Sequence, residues 1–398
     1  MLILHVVVAV AAVLMIVIVM LDAFETVVLP RRVSRRFRLT RLYFRSTWRG
    51  WSALARRIDS LERRESILAI FGPLALLLLL ALWVALLIFA YGLLYWALGS
   101  QLVSLGHTGD LGADVYFSGT TLLTLGLGDV YPHVGPTRAA VVVEVGTGFG
   151  LLALVIGYLP VLYQAFSRRE MRISLLDARA GSPPTAGALL KRHPPDRRAR
   201  KLANLLAEWE SWAAELLETH LSYAVLAYYR SQHEDQSWVA ALAVILDTCA
   251  LVLACGRTKG VDGELAEQAA FTFATARHAA VDLEQIFRVD GRKPAVPDER
   301  LSPADRVRLR EILGAALGDE DHANHHDSTG NIALMLDDLR ALYEPYLAGL
   351  SAYLLMPLPR WVPTPGAYDD WQTTADGVTA PSILTLSAPP RHPTSAGA

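Results

Sequence analysis

The stretch YFSGTTLLTLGLGDVYP, residues Tyr116 to Pro132, decides how the rest of this chain is organised. Its centre, TLGLGD, places Gly126 and Gly128 two residues apart, directly before Asp129. Glycine adopts left-handed backbone conformations at little cost, so alternate glycines allow successive backbone carbonyls to be aimed to one side. Alone, the hexapeptide also fits an ordinary glycine-rich turn. The flanking sequence therefore has to show whether the hexapeptide is such a turn or a segment with aligned carbonyls.

Three long apolar runs surround this stretch. They are Leu2 to Leu21, Ile67 to Leu98 and Ala139 to Phe166, in a chain of 398 residues that is 53% hydrophobic and only 19% charged. Each run reaches the roughly 20 residues that a helix needs to cross a bilayer. The first run lacks the basic start and small-residue cleavage site of a signal peptide, which favours a membrane anchor. The sequence therefore predicts a multi-pass membrane protein.

Arginines predict the orientation of these runs. Twelve arginines lie between Arg31 and Arg64, and three more, Arg168, Arg169 and Arg172, follow the third run. Basic loops stay on the cytoplasmic side, which predicts an N-terminus outside the cell and a re-entrant Tyr116–Pro132 loop that faces outward. With its interleaved aromatic residues, the first basic segment is interpreted as an amphipathic helix on anionic lipid headgroups rather than a voltage sensor.

Residues 67–166 resemble the outer helix, pore loop and inner helix of bacterial two-helix ion channels in the potassium-channel pore-loop superfamily. The usual filter in that superfamily is T-V-G-Y-G-D, and the resemblance implies that four identical chains surround one pore whose carbonyls replace the water shell of potassium. Leu125 stands in place of the valine and Leu127 in place of the tyrosine, a G-L-G form that also occurs in two-pore-domain potassium channels. The filter residues so implied are Thr124, Leu125, Gly126, Leu127, Gly128 and Asp129.

The run from Ala139 to Phe166 carries the residues that the resemblance assigns to the inner helix. Arg138, Glu144 and Gly148 resemble an R…E…G pattern of many bacterial members, in which Gly148 falls at the hinge position. Glu144 is interpreted as a brace to the pore helix or to Arg138, with an ion-lining role as the alternative. Gly146 and Gly150 fit either a bend or a small-residue packing face, and Pro160 is a second kink position.

Selectivity is the open point of this interpretation, because a leucine at 127 cannot hydrogen-bond to the structure around the filter as the tyrosine does. Potassium selectivity is the first hypothesis and a weakly selective cation pore the second. A third, from another class, is a membrane-anchored interaction or signalling protein with a degenerate pore module. The sequence contains no nucleotide-binding or catalytic motif and no zinc spacing at its two cysteines. We therefore expect no enzyme activity, no cofactor and no metal beyond potassium. We expect membrane lipid as a partner, and neither a nucleic acid nor a small-molecule substrate.

The predicted fold is an all-α membrane protein with a potassium-channel-like pore module, an extra N-terminal transmembrane helix and a cytoplasmic helical domain. Trp238 to Cys255 is interpreted as a buried helix of that domain rather than a fourth span, and the acidic, histidine-rich stretch 319–327 as a solvated connector. The predicted boundaries are 1–30 for the N-terminal helix, 31–66 for the basic cytoplasmic segment, 67–166 for the pore module, 167–197 for a linker, 198–356 for the cytoplasmic domain and 357–398 for a disordered tail.

Overall fold

The computed structural model describes residues 2–29, 38–99, 102–104, 110–132, 134–193, 195–231, 236–256, 262–287, 300–317 and 326–364. Within these ranges the protein is helical apart from one antiparallel pair of three-residue strands and one short 3-10 segment. The membrane half contains α1 (Leu2–Val27), α2 (Leu39–Ala55), α3 (Leu61–Ala97), β1 (Leu102–Ser104), α4 (Leu111–Leu122), β2 (Val130–Pro132) and α5 (Gly135–Ala180). The other elements are α6 (Ala186–Arg192), α7 (Pro195–Ser222), a 3-10 segment (Ala224–Tyr228), α8 (Trp238–Cys255), α9 (Gly263–Phe287), α10 (Pro303–Leu317), α11 (His326–Ala341) and α12 (Glu344–Leu354).

Four helices of the described part are long and apolar enough to cross a membrane, namely α1, α3, α5 and α8. The chain is an all-α membrane protein. It folds as two compact units, of which unit 1 contains Met1–Arg168 and Leu217–Arg230, and unit 2 contains Arg169–Leu216 and Ser231–Ala398.

In unit 1, α1 and α3 run antiparallel and are fixed to each other at both ends. Near the start of α1, the His5 ring stacks on Trp96 with ring centroids 4.8 Å apart. Near its end, the buried Asp22 carboxylate accepts a hydrogen bond from the Trp83 indole at 3.1 Å and from the Thr40 hydroxyl at 2.6 Å. Asp22 also accepts from the Thr40 backbone N–H, so it caps the first turn of α2. The antiparallel arrangement agrees with the alternating helix directions that the arginine distribution predicts.

The aromatic side of α2 packs on protein within unit 1. Phe44 and Trp48 are buried, and the Trp48 ring lies 4.8 Å from Phe71 of α3. Tyr228, from the 3-10 segment, lies 5.1 Å from Trp48 and 5.3 Å from Phe71. Aromatic pairs at such distances are stabilising beyond their burial. The aromatic residues therefore hold α2 against α3.

The same aromatic cluster explains why the predicted domain 198–356 is interrupted. Residues Leu217–Arg230 belong to unit 1 because they bring Tyr223, Tyr228 and Tyr229 onto its helices. Tyr223 packs on Tyr158 at 5.6 Å, and the Tyr229 ring fills the space over Gly72, where an added Cβ would lie 2.7 Å away. The local sequence around residue 228 identifies neither the aromatic rings that these tyrosines contact nor the space over Gly72 that Tyr229 fills.

The structure also differs from the predicted linker over residues 167–197. Helix α5 continues to Ala180 because Ile173, Leu176 and Ala180, three and four residues apart, are all buried. Gly181, at φ +90°, follows the end of the helix. Thr185 then caps α6 by accepting a hydrogen bond from the Ala188 N–H at 3.2 Å. Pro183 and Pro184 thus lie in a short turn between two packed helices.

In unit 2, α8 is the central helix, with 94% of its residues buried inside the protein. This agrees with its interpretation as a bundle core. Its Asp247 is fully buried, forms an ion pair with Arg300 and accepts a hydrogen bond from the Tyr343 hydroxyl at 2.6 Å. Burial raises the pKa of the Asp247 carboxyl, and the adjacent Arg300 guanidinium opposes that rise. A buried carboxylate of this kind is tolerated only because it is paired.

The first residues of the predicted disordered tail are packed into unit 2. Trp361 is fully buried, and its carbonyl accepts a hydrogen bond from the Gly187 N–H at 2.8 Å. Two residues earlier, the Pro359 carbonyl accepts from the Arg300 guanidinium at 2.9 Å. Burial of one large indole therefore orders a segment that shows no apolar periodicity. Residues 365–398, and most of the histidine-rich stretch 319–327, lie outside the described residues.

Candidate ion pathway

The filter stretch begins at the end of a short helix, α4, six of whose twelve residues are buried. Asp110 caps this helix by accepting a hydrogen bond from the Ala113 N–H at 2.8 Å. After Leu122 the backbone has positive φ at every second residue, with 59° at Thr124, 55° at Gly126 and 79° at Gly128. This alternation is the one expected from glycines two residues apart, and it directs successive carbonyls to the same side. Thr124 adopts the left-handed conformation although it is not a glycine.

Backbone carbonyls of α4 hold the first residues of the filter. The Leu125 N–H donates to the Thr120 carbonyl at 2.7 Å, and the Thr124 N–H donates to the Thr121 carbonyl at 3.0 Å. The Thr120 hydroxyl instead donates to Phe117 within its own helix. The threonines of the pore helix therefore support the filter through their main chain.

Asp129, at the outer end of the stretch, is tied to the pore helix. Its carboxylate is exposed and accepts a hydrogen bond from the Tyr116 hydroxyl at 3.0 Å. The Asp129 carboxylate is therefore open to solvent and at the same time hydrogen-bonded to α4. Tyr116 was not singled out from the sequence, where only its place thirteen residues before Asp129 could have drawn attention to it.

Glu144 of α5 is the shared acceptor of a buried hydrogen-bonded group that joins α3, α4 and α5. Its side chain is fully buried, and its two carboxylate oxygens accept from the Tyr95 hydroxyl of α3 and the Ser118 hydroxyl of α4, each at 2.5 Å. Arg138 points elsewhere, with its guanidinium 3.4 Å from the Pro132 carbonyl. Of the alternatives for Glu144, the geometry fits the brace to the pore helix. Tyr95 and Ser118 were missed, because a tyrosine near a helix end is typical of the membrane interface.

The three inner-helix glycines have different surroundings. A Cβ on Gly148 would lie 2.2 Å from the Leu122 carbonyl oxygen at the end of the pore helix. At Gly146 and Gly150 an added Cβ would meet no atom of the described chain within 4 Å. Gly148, the expected hinge, is therefore the position of closest approach to the pore helix. Pro160 lies inside α5, which continues past it as one helix to Ala180.

One side of α5 has no cover within the described chain. Four side chains exactly one heptad apart, Val142, Phe149, Ile156 and Tyr163, are each 63–73% exposed. The residues three positions after the first three, Val145, Leu152 and Leu159, are also exposed. Leu125 and Leu127 of the filter are 61% and 64% exposed. A seven-residue apolar repeat is the pattern with which helices pack against further helices in a left-handed bundle.

Comparison with known proteins defines the class of this module. Residues 78–164, which contain the second half of α3, the whole of α4, the filter stretch and α5 as far as residue 164, match the family described as "Ion channel". The match covers about a fifth of the chain, and over these residues the chain is similar to that family. No solved structure matches the chain.

A curated relative is the uncharacterized membrane protein YdjJ of Bacillus subtilis (strain 168). It is 26% identical over 214 residues, which cover 52% of this chain and 59% of YdjJ. The chain thus spans less than two thirds of that relative. The likeness adds a membrane protein to the comparison.

Proposed function

We propose that the protein is a passive cation channel that prefers potassium and conducts through the TLGLGD filter. The observation that carries this proposal is the alternation of positive φ at Thr124, Gly126 and Gly128 directly after the half-buried helix α4. A filter needs rings of backbone carbonyls in place of the hydration shell of the ion. The side chains at 125 and 127 do not change the number of carbonyls, so the leucines are compatible with this chemistry.

Four copies close the pore in this proposal. A single chain supplies one filter strand, and its filter leucines and the heptad stripe of α5 are uncovered within the described chain. An apolar stripe alone also fits contact with lipid. A filter loop, by contrast, has its irregular backbone at membrane depth, which is tolerated only where protein covers it or where it lines a water-filled path. Homotetramer formation around the filter supplies both conditions.

The proposed topology follows from charge. The N-terminus and the filter loop face outward, and the arginines of 38–64 and of the end of α5 face the cytoplasm of a cell membrane. Unit 2 is then cytoplasmic, where it serves assembly or gating. The Asp129 carboxylates at the outer mouth raise the local concentration of cations. Lipid is the surrounding partner, and the proposal requires no catalytic step, cofactor, nucleic acid or further metal.

Flux of K⁺ and Na⁺ from liposomes that contain the purified protein tests the proposal. We expect K⁺ flux that exceeds Na⁺ flux, and crosslinking to a tetramer in membranes. Gly126→Ala and Gly128→Ala should abolish flux, because each places a side chain at a positive φ in all four copies, at a cost of roughly 1–3 kcal/mol per copy. Equal K⁺ and Na⁺ flux supports the weakly selective pore instead. A monomer without flux supports the membrane-anchored interaction protein.

A further inference from the structure

Leu127 offers the filter no side-chain hydrogen bond, whereas the helices next to the filter stretch carry a buried hydrogen-bonded group. Leucine offers only apolar packing at a position from which a tyrosine would donate a hydrogen bond to the structure around the filter. The pore helix α4 is instead held by the Glu144 carboxylate, which accepts from Ser118 on α4 and Tyr95 on α3. We propose that Glu144, Tyr95 and Ser118 are positioning residues that fix the pore helix and thereby set the discrimination between K⁺ and Na⁺.

The packing around this group supports the proposal, which rests on the proposed function. Helix α4 is wedged between its neighbours at two glycines. An added Cβ on Gly92 of α3 would lie 2.9 Å from the Val115 Cα, and one on Gly148 of α5 would lie 2.2 Å from the Leu122 carbonyl oxygen. The pore helix therefore has little room to move while the hydrogen bonds hold. The carbonyls of its last turn receive the filter N–H groups, so a shift of α4 is transmitted to the filter.

The chemistry of the group requires a carboxylate. Both Glu144 oxygens accept, each from a hydroxyl donor, so neither oxygen is left unpaired in a fully buried site. A glutamine at this position keeps one acceptor and replaces the other with an N–H₂ donor, which forces one partner hydroxyl to turn around. Removal of either hydroxyl leaves one oxygen of a buried carboxylate unsatisfied.

The test compares Tyr95→Phe, Ser118→Ala and Glu144→Gln with Tyr91→Phe in reconstituted full-length protein. Tyr91 is a matched control, because it lies one helical turn before Tyr95 and its hydroxyl hydrogen-bonds Thr147 of α5 at 2.9 Å instead of Glu144. We expect each of the three variants to conduct but to lower the K⁺/Na⁺ permeability ratio by about tenfold, the factor that corresponds to one lost hydrogen bond of this kind. Tyr91→Phe should keep the ratio of the unmodified protein.

Two further measurements separate positioning from simple destabilisation. The double variant Tyr95→Phe/Ser118→Ala should lower the ratio by less than the product of the single effects, since both hydroxyls act on one carboxylate. Glu144→Asp, a shorter carboxylate, should recover part of the ratio that Glu144→Gln loses. An unmodified protein that does not conduct refutes the proposed function itself. A selective unmodified channel whose three variants keep the full ratio overturns this inference alone.

Discussion

Substitution of Gly148 by alanine should displace the pore helix and abolish selective conduction. The added Cβ would lie 2.2 Å from the Leu122 carbonyl oxygen, about 1.2 Å closer than ordinary van der Waals contact. The contacting atom belongs to the backbone, so no flexible side chain can turn away. Overpacking of a filled site typically lowers the free energy of unfolding by about 1–3 kcal/mol. For a backbone clash of this size we expect a loss at the upper end of that range. Either α4 or α5 has to move, and the filter starts two residues after Leu122.

Two glycines on the same helix provide the controls. Within the described chain, Gly146 and Gly150 have open space where a Cβ would be added. Replacement of glycine by alanine inside a helix normally stabilises it by about 1 kcal/mol, so Gly146→Ala and Gly150→Ala should raise or retain thermal stability. If the three glycines instead act together as a hinge, all three variants should impair opening to a similar degree and leave the folded state stable.

The assay is K⁺ and Na⁺ flux from liposomes, together with the melting temperature of the purified protein in detergent. We expect Gly148→Ala to lose K⁺ flux or selectivity and to melt several degrees lower, with the two controls near the unmodified protein. Loss of stability in Gly146→Ala or Gly150→Ala would place a neighbouring copy on that face. A Gly148→Ala protein with unchanged flux and unchanged melting temperature would refute the close-packing argument.

Three further predictions concern stability. Arg300→Met leaves the buried Asp247 without its cation and should destabilise unit 2 by about 3–5 kcal/mol. Arg306→Met removes an ion pair to Asp337, which is 48% exposed, and should lower the stability by less than about 1 kcal/mol. Denaturant unfolding of both proteins, followed by tryptophan fluorescence, measures the difference, and equal losses would contradict it. Trp361→Ala should cost about 3–5 kcal/mol because the indole is fully buried, and a change within 0.5 kcal/mol, as expected for the exposed Val307→Ala, would show that the segment is dispensable. Asp22→Ala leaves the Trp83 indole and the first turn of α2 without their acceptor and should lower the melting temperature, while the exposed Asp59→Ala should not.

The membrane architecture was predictable because its signals are local. Runs of apolar residues identify helices long enough to span a membrane, and the arginines after Arg31 predict their direction without knowledge of any contact. The alternating backbone of the filter follows from the glycine spacing in the same way. These features depend on residue type and spacing within one segment, so a single sequence is sufficient to infer them.

The distinction among the inner-helix glycines was not predictable, since it depends on how α5 is rotated against α4. The segment between these helices, residues 123–134, includes the irregular filter, and no periodicity carries the helical register across it. Gly146, Gly148 and Gly150 are therefore equivalent in the sequence. Only the position of the Leu122 carbonyl separates Gly148 from the other two.

The division into units also depends on distant contacts. Residues 217–230 belong to unit 1, where the Tyr228 ring contacts Phe44, Trp48 and Phe71, which precede it by more than 150 positions. Pro183 and Pro184 occupy only a short turn between α5 and α6. Proline and glycine mark where a helix stops, and they carry no information on whether the flanking helices are packed.

If selectivity has the proposed source, the residue at position 127 alone does not indicate whether the channel selects K⁺ over Na⁺. A tyrosine there restrains the filter directly, whereas a hydroxyl on a neighbouring helix restrains the same backbone through the pore helix. In this chain Tyr116 holds Asp129, and Tyr95 and Ser118 hold Glu144, so the hydroxyls lie on α3 and α4 rather than in the filter. Carbonyl rings keep their spacing only as long as the structure behind them is rigid. If the brace supplies that rigidity, a leucine filter can remain selective for K⁺, and its selectivity will respond to substitutions on α3, α4 and α5 more strongly than to a conservative change at Leu127.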